Sequence, residues 1–197
     1  MSRTIEAVVY QYDELSEKAQ EHARDWYRRA SDNDTFWSEC ATETIKEACA
    51  ILGVQIKDLY WALHVQGAGA CFTGRYDYAK NGAAKIAEEW PRDAELIRIG
   101  RELQELQRRH FYGLMAVISH RGRGEHEQSV HIETYNFRTG NEPDSNTEET
   151  LRDLLRDLMR WAYHRLESEY EWATADEQVA ETIIANEYEF DVDGCRV

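Results

Sequence analysis

Three places in this sequence carry residue types with the makings of chemistry. Gln66-Gly67-Ala68-Gly69-Ala70 has the glycine content of a loop whose backbone amides can cradle phosphate. That use needs a helix N-terminus directly after the loop. The residues that follow, Cys71 to Tyr78, read as strand, and no Gly-Lys-Ser/Thr is present, so a tight structural turn is the favoured reading. Cys71 has the chemistry of a thiol nucleophile, but a small residue at the head of a strand is more often simply buried. His120, His126 and His131 fall on one hairpin with Glu125, Glu127 and Glu133 nearby. Two histidines facing each other across it could hold a metal with a carboxylate. No H-E-x-x-H is present, and a solvated polar hairpin is preferred. A carboxylate pair for acid–base work is uninformative among 38 acidic residues, and no G-x-S-x-G elbow is present. The expectation is a protein that is not an enzyme, with no catalytic residues, no cofactor and no metal.

The third place is a run of carboxylates: Glu167, Glu169, Glu171, Asp176, Glu177, Glu181, Glu187, Glu189, Asp191 and Asp193, with no lysine, arginine or histidine from Leu166 through Cys195. The whole chain has 38 acidic against 23 basic side chains, a formal net charge of −15. A solvated helix face usually interleaves both signs, and this one does not. Duplex DNA carries one negative charge per roughly 1.7 Å of axis, close to the rise of about 1.5 Å per residue in a helix. A wall of fixed carboxylates can therefore occupy a basic groove built for nucleic acid. An ordinary solvated face is the alternative. Arg98, Arg101, Arg108, Arg109, Arg121 and Arg123 form an opposing basic cluster, so the sequence predicts an acidic side and a smaller basic patch. Such a field disfavours direct nucleic-acid binding and favours basic protein partners. The basic cluster meeting the acidic end of a second copy would give a homodimer.

The elements that must position these residues follow from periodicity. Ile5–Tyr12 reads as a strand, and Ser16 caps a helix with Ala19, Ala23, Trp26, Tyr27 and Ala30 on one face. Ser31 to Asp34 punctuates. A second helix carries Trp37, Ala41, Ile45, Ala48 and Leu52, and stops at Gly53. Val54–Val65 and Cys71–Tyr78 are strands around the 66–70 break. A short helix starts at Asn81-Gly82, and Pro91 suits the first position of the next one. Leu114–Ser119 and Ser129–Phe137 are strands, and residues 138–146 form a loop. The longest helix runs from near Thr147 to about Trp172 on a stripe of Leu151, Leu154, Leu155, Leu158, Ala162 and Leu166. Thr174 to Glu177 has capping-box spacing and opens a helix to about Glu187, before a last strand at Tyr188–Val192. The order β-α-α-β-β-α-α-β-β-α-α-β predicts a single α+β domain over residues 1–197. Its sheet is mainly antiparallel, with about four to six strands and helices packed on one face.

The motif D-E-L-S-E-x-A from Asp13, with LGV (Leu52–Val54), QGAGACFTG (Gln66–Gly74), LESEYEW (Leu166–Trp172) and IANEYEFDVDG (Ile184–Gly194), resembles a poorly characterised family of bacteriophage and prophage proteins. The resemblance spans nearly the full chain. Members commonly carry Q-G-D-G-A where this chain has Ala68, so a role needing a carboxylate there does not transfer. Some members are labelled antitoxins of toxin–antitoxin systems. Phage accessory proteins of this size and acidity are similar in character to anti-CRISPR and antirestriction proteins, an analogy of type rather than of motif.

Four widely spaced cysteines without a C-x-x-C pair, no signal-like apolar start and no run of about 18 apolar residues predict reduced thiols, a cytoplasmic protein of a bacterial host and no membrane span. The expected function is that of a phage-encoded acidic inhibitor. It would bind a bacterial protein with a basic nucleic-acid-binding surface, of the anti-CRISPR or antirestriction type, through the carboxylates of residues 167–193. The alternatives are an antitoxin-like protein that sequesters a toxin, and a metal-dependent enzyme.

Overall fold

The structure is a computed structural model that describes residues 8–31, 36–140 and 142–197. Its order of helices and strands is that expected from the sequence, and its class is α+β, with one four-stranded antiparallel sheet and one two-stranded sheet. The chain divides into two compact units, residues 1–38 with 168–197 and residues 39–167.

In the smaller unit, β1 (Tyr10–Gln11) pairs antiparallel with β6 (Glu189–Phe190), Tyr10 opposite Phe190. Among the described residues of the strand expected over Ile5–Tyr12, only Tyr10 and Gln11 pair. A 3-10 turn at Tyr12–Glu14 ends it early, and Ile5 to Ala7 lie outside the described residues. Helix α1 (Glu17–Ala30) starts as read, with the Ser16 hydroxyl accepting from Ala19 N at 3.4 Å. Its buried Ala19 and Ala23 let α6 (Asp176–Ala185) approach with Val179 and Ile183, and Tyr12, Leu15 and Phe190 complete the core. Trp26 packs edge-on against Tyr188 and Phe190, with centroids 5.4 and 5.7 Å away. The C-terminal tail crosses α1 at Gly194, where φ is +83° and an added Cβ would lie 2.0 Å from Ala19 O. Only glycine fits there, and the crossing lets the His22 ring hydrogen-bond Asp193 O at 3.0 Å.

The larger unit contains most of α2 (Phe36–Ile51) and α5 (Ser145–Thr174). It also holds β2 (Val54–Ala62), β3 (Gly69–Tyr76), α3 (Gly82–Glu89), α4 (Ala94–Arg109), β4 (Leu114–His120) and β5 (Val130–Asn136). The strands pair in sequence order, all antiparallel. Period-two alternation sorts their faces. Val54, Tyr76, Ala116 and Thr134 form a buried row across the sheet, and Gln55, Arg75, Val117 and Glu133 form the exposed row beside it. The helices supply Ile86, Leu96, Ile99, Leu103, Leu151, Leu155 and Leu158 to the core.

Several boundaries differ from the sequence reading, three of them with a visible cause. Helix α4 starts at Ala94 rather than at Pro91, because Asp93 is the better cap. One of its oxygens accepts from Leu96 N at 2.9 Å and the other from Trp161 Nε1 at 2.7 Å. The capping box at Thr174 does not form. The Thr174 hydroxyl turns back to Tyr170 O inside α5, and α6 begins after Ala175 without a side-chain cap. Gly69 and Ala70, read as part of a break, are the first residues of β3. Asp32 to Asp34 of the expected turn, and Asn141 of the expected loop, lie outside the described residues.

Gln107 ties α4 to the sheet. Its amide nitrogen donates to Leu114 O at 2.7 Å and to Tyr76 Oη at 3.1 Å, and its oxygen accepts from Leu114 N at 3.1 Å. The side chain is 1% exposed and so replaces water for three groups at the head of β4. Replacing Gln107 with Leu keeps the volume and orphans all three. The expected loss is about 1–3 kcal/mol, read from a denaturant midpoint, and an unchanged midpoint would refute the role.

Candidate functional site

The tertiary fold brings together two regions that the sequence keeps apart. The β4–β5 connection folds over the start of β3, so that a Cβ on Gly69 would lie 2.5 Å from the Cβ of His126. This close approach explains the glycine without any phosphate. Gly67 sits at φ +81° in a turn closed by Ala68 N to Val65 O, and strand follows, not a helix N-terminus. His120 stacks on Tyr60 at 4.7 Å and bonds Gly124 O at 2.8 Å. His126 accepts from Gln128 N through Nδ1 at 3.1 Å. His131 lies on the outer face of β5, 3.3 Å from Glu133. Each histidine thus has its own local partner. Among the described residues no three His, Cys, Asp or Glu side chains are placed to hold a metal ion. Cys71 is buried, and burial together with Glu125 and Glu127 pushes its thiol up to about 11. It is therefore held protonated, the opposite of an activated nucleophile.

The acidic residues separate into groups. Glu167 belongs to the larger unit and accepts from Tyr163 Oη at 3.0 Å, with His164 Nδ1 3.5 Å away. The other nine belong to the smaller unit, which holds seventeen acidic and six basic residues and so carries −11 of the chain's −15. Asp176 is captured by the protein's own α1. Arg28 holds its Oδ1, Arg24 Nε stands 3.4 Å away, and the two guanidinium groups keep the carboxyl below the usual aspartate range. Asp191 is spent on the tail, accepting from Asp193 N at 3.0 Å and Cys195 N at 2.9 Å. Glu169 is half-buried. Glu171, Glu177, Glu181, Glu187, Glu189 and Asp193 are exposed, and none has an ion pair among the described residues. Glu177 and Glu181 stand one turn apart on α6, followed on that face by the exposed Ile184. Trp172, near the end of α5, is 58% exposed. Of the basic cluster, Arg98 is engaged by Asp157 at 2.6 Å and Glu102 at 3.1 Å, and Arg109 by Glu105.

One polar site went unread in the sequence. Between the β5 edge and the first turns of α5 lies a cavity of about 390 Å³, with a wall that includes His131, Glu133, Thr134, Tyr135, Glu148 and Arg152. Glu142, in the loop before α5, completes it. The ladder bonds Arg121 N to Ser129 O and Phe137 N to Gly113 O put the odd-numbered residues of β5 in register with β4. Ile132 and Thr134 therefore turn their backbone groups to the open edge. Arg152 covers part of that edge, its Nε donating to Ile132 O at 3.0 Å and its Nη2 lying 2.6 Å from Glu148. Tyr135 Oη donates to Glu133 at 2.7 Å, and this bond, with His131 behind it, holds the Glu133 carboxyl below its ordinary range. Thr134 is 3% exposed, and its hydroxyl has no hydrogen-bond partner among the described residues. Alternation alone places Thr134 inward; nothing in the sequence brings Glu142 and α5 against it.

The Arg24–Asp176–Arg28 contact generates a pH prediction. A carboxyl with a lowered folded pKa adds stability above its unfolded pKa, and loses that stability as pH falls through the folded value. Asp176→Asn is expected to lower the unfolding free energy, read from urea titrations of tryptophan fluorescence at neutral pH, by less than about 1 kcal/mol, since the pair is exposed. The difference from the parent should shrink as pH falls through the lowered folded pKa of Asp176, below the ordinary aspartate range. A gap that persists in acid would mean that the charge pair is not its source.

Comparison with known proteins adds a family. Neither the curated proteins nor the solved structures contain a match. A family model described as a domain of unknown function, DUF8835, matches residues 37–176, which takes in the whole of the larger unit and the end of α5. With well over half of its length inside that match, the chain belongs to the DUF8835 family.

Proposed function

We propose that this protein is a non-catalytic, acidic binding protein. Its smaller unit docks on a basic, nucleic-acid-binding surface of a bacterial partner, in the manner of phage-encoded inhibitors of host defence. The observation that carries the reading is the set Glu171, Glu177, Glu181, Glu187, Glu189 and Asp193, exposed and without an ion pair among the described residues, in a unit of net charge −11. Carboxylates left unpaired in the free protein are available to arginines and lysines of another one. Long-range attraction then raises the association rate. The exposed Trp172 and Ile184 supply apolar area that charged rims lack, and a buried aromatic is the usual anchor of such an interface. The individual histidine partners and the protonated Cys71 support binding over catalysis. No helix among the described residues is long and apolar enough to cross a membrane.

The test is affinity capture from bacterial lysate at low and high ionic strength. The parent protein is compared with a variant carrying Glu171→Gln, Glu177→Gln, Glu181→Gln, Glu187→Gln and Glu189→Gln. Nucleic-acid-handling proteins should be retained by the parent at low salt and lost both at high salt and with the variant, because surface charge pairs are screened over about 10 Å or less. Capture indifferent to salt and to the five substitutions, or of neutral metabolic enzymes alone, would overturn the reading.

A further inference from the structure

We infer that the exposed face of the four-stranded sheet is an interface between two copies of this chain, packed face to face about a two-fold axis that runs along β4 over Val117. On that face the row Arg75, Val117 and Glu133 stands open across β3, β4 and β5. Val117 is 38% exposed. Tyr135 on β5 and Phe137 just past its end are 40% and 58% exposed, and Met115 lies opposite Tyr135. Four apolar residues thus adjoin on two paired strands, whereas exposed apolar side chains are ordinarily scattered singly. Where two sheets pack, such a face becomes the inner one.

The charges of the row select the occupant. Arg75 and Glu133 flank Val117 at one strand spacing, about 4.8 Å, on either side. An axis along β4 exchanges those sides, so that β3 of each copy lies over β5 of the other. Arg75 of one copy then stands over Glu133 of the other, twice, because the contact is symmetric. Packed sheets lie about 10 Å apart, a gap that these two side chains span when they reach toward each other. An axis across the strands would set Arg75 on Arg75 and Glu133 on Glu133, so the charges admit one orientation. A partner of a single sign would be repelled by one of the two. Arg75 has no ion pair among the described residues. Tyr135 Oη and His131 hold Glu133 as a carboxylate. Where β3 ends at Tyr76, the same axis brings Tyr135 of one copy beside Met115 of the other. The patch is only three strands wide, so the dimer belongs to the weak, concentration-dependent class. It is not the dimer expected from the basic cluster, of which Arg98 and Arg109 are engaged within the chain. The face belongs to the larger unit and uses none of the carboxylates proposed for docking on the smaller one.

The experiment is analytical ultracentrifugation of the full chain from about 1 to about 100 μM. It compares the parent, Arg75→Glu, Glu133→Arg, the double reversal Arg75→Glu/Glu133→Arg, and a control on the smaller unit, Glu177→Gln/Glu181→Gln. The parent and the control should dimerise alike within that range. Each single reversal sets like charges opposite each other and should weaken the dimer about tenfold or more. The double reversal restores opposite signs and should return to within about threefold of the parent. A parent that stays monomeric throughout, whatever else binds the face, overturns the inference. So does a double reversal as weak as the single ones, or a control that weakens as much as they do. All these side chains are exposed, and a melting curve accompanies each variant. If one single reversal fails to fold, the other and the double reversal still decide.

Discussion

Backbone groups at the margins of the four-stranded sheet must all find partners, and much of this molecule follows from that requirement. At the head of β4 the ladder ends against α4, and the amide of Gln107 stands in for the missing strand by serving both Leu114 N and Leu114 O. Along β5 the even-numbered residues turn their backbone outward, and Arg152 reaches from α5 to Ile132 O. An open edge left bare would invite pairing with another chain. Covering it from a helix rather than a strand leaves space between them, and that space is the polar cavity. Edge protection and cavity are thus two consequences of one arrangement.

The same economy of partners separates structural from available charge. Arginines of α1 hold Asp176 where α6 begins, a place where a helix N-terminus already favours a carboxylate. Asp191 organises the tail that Gly194 carries across Ala19. What remains exposed on that unit is mostly acidic, and six of these carboxylates have no ion pair among the described residues, so the unit accepts self-repulsion that a surface of evenly mixed signs would avoid. The histidines behave differently: each is occupied by a neighbour in its own loop or strand, so the hairpin that carries three of them is polar scaffolding over Gly69 and Cys71.

Legibility in the sequence tracked the range of the interaction. Helix α5 was readable because six apolar residues recur at helical spacing over more than four turns, and β5 because Val130, Ile132 and Thr134 alternate with His131, Glu133 and Tyr135. The Ser16 cap was readable because hydroxyl and amide are three residues apart. The Thr174 box was misread because a threonine inside a helix has a competing carbonyl four residues back, and no local pattern ranks the two. Pro91 was misread because the merit of Asp93 as a cap includes Trp161, 68 residues away.

The sequence by itself determined the α+β class, the order of twelve elements and the concentration of negative charge toward the C-terminus, because each depends on composition or on spacing within a few residues. Only the tertiary structure decided which carboxylates are free, why Gly69 is glycine, and that Thr134, Glu142 and Arg152 share a wall. Those facts depend on which distant segments meet. That is set by the packing of apolar faces, and a charged or polar residue carries no mark of the partner it will be brought against.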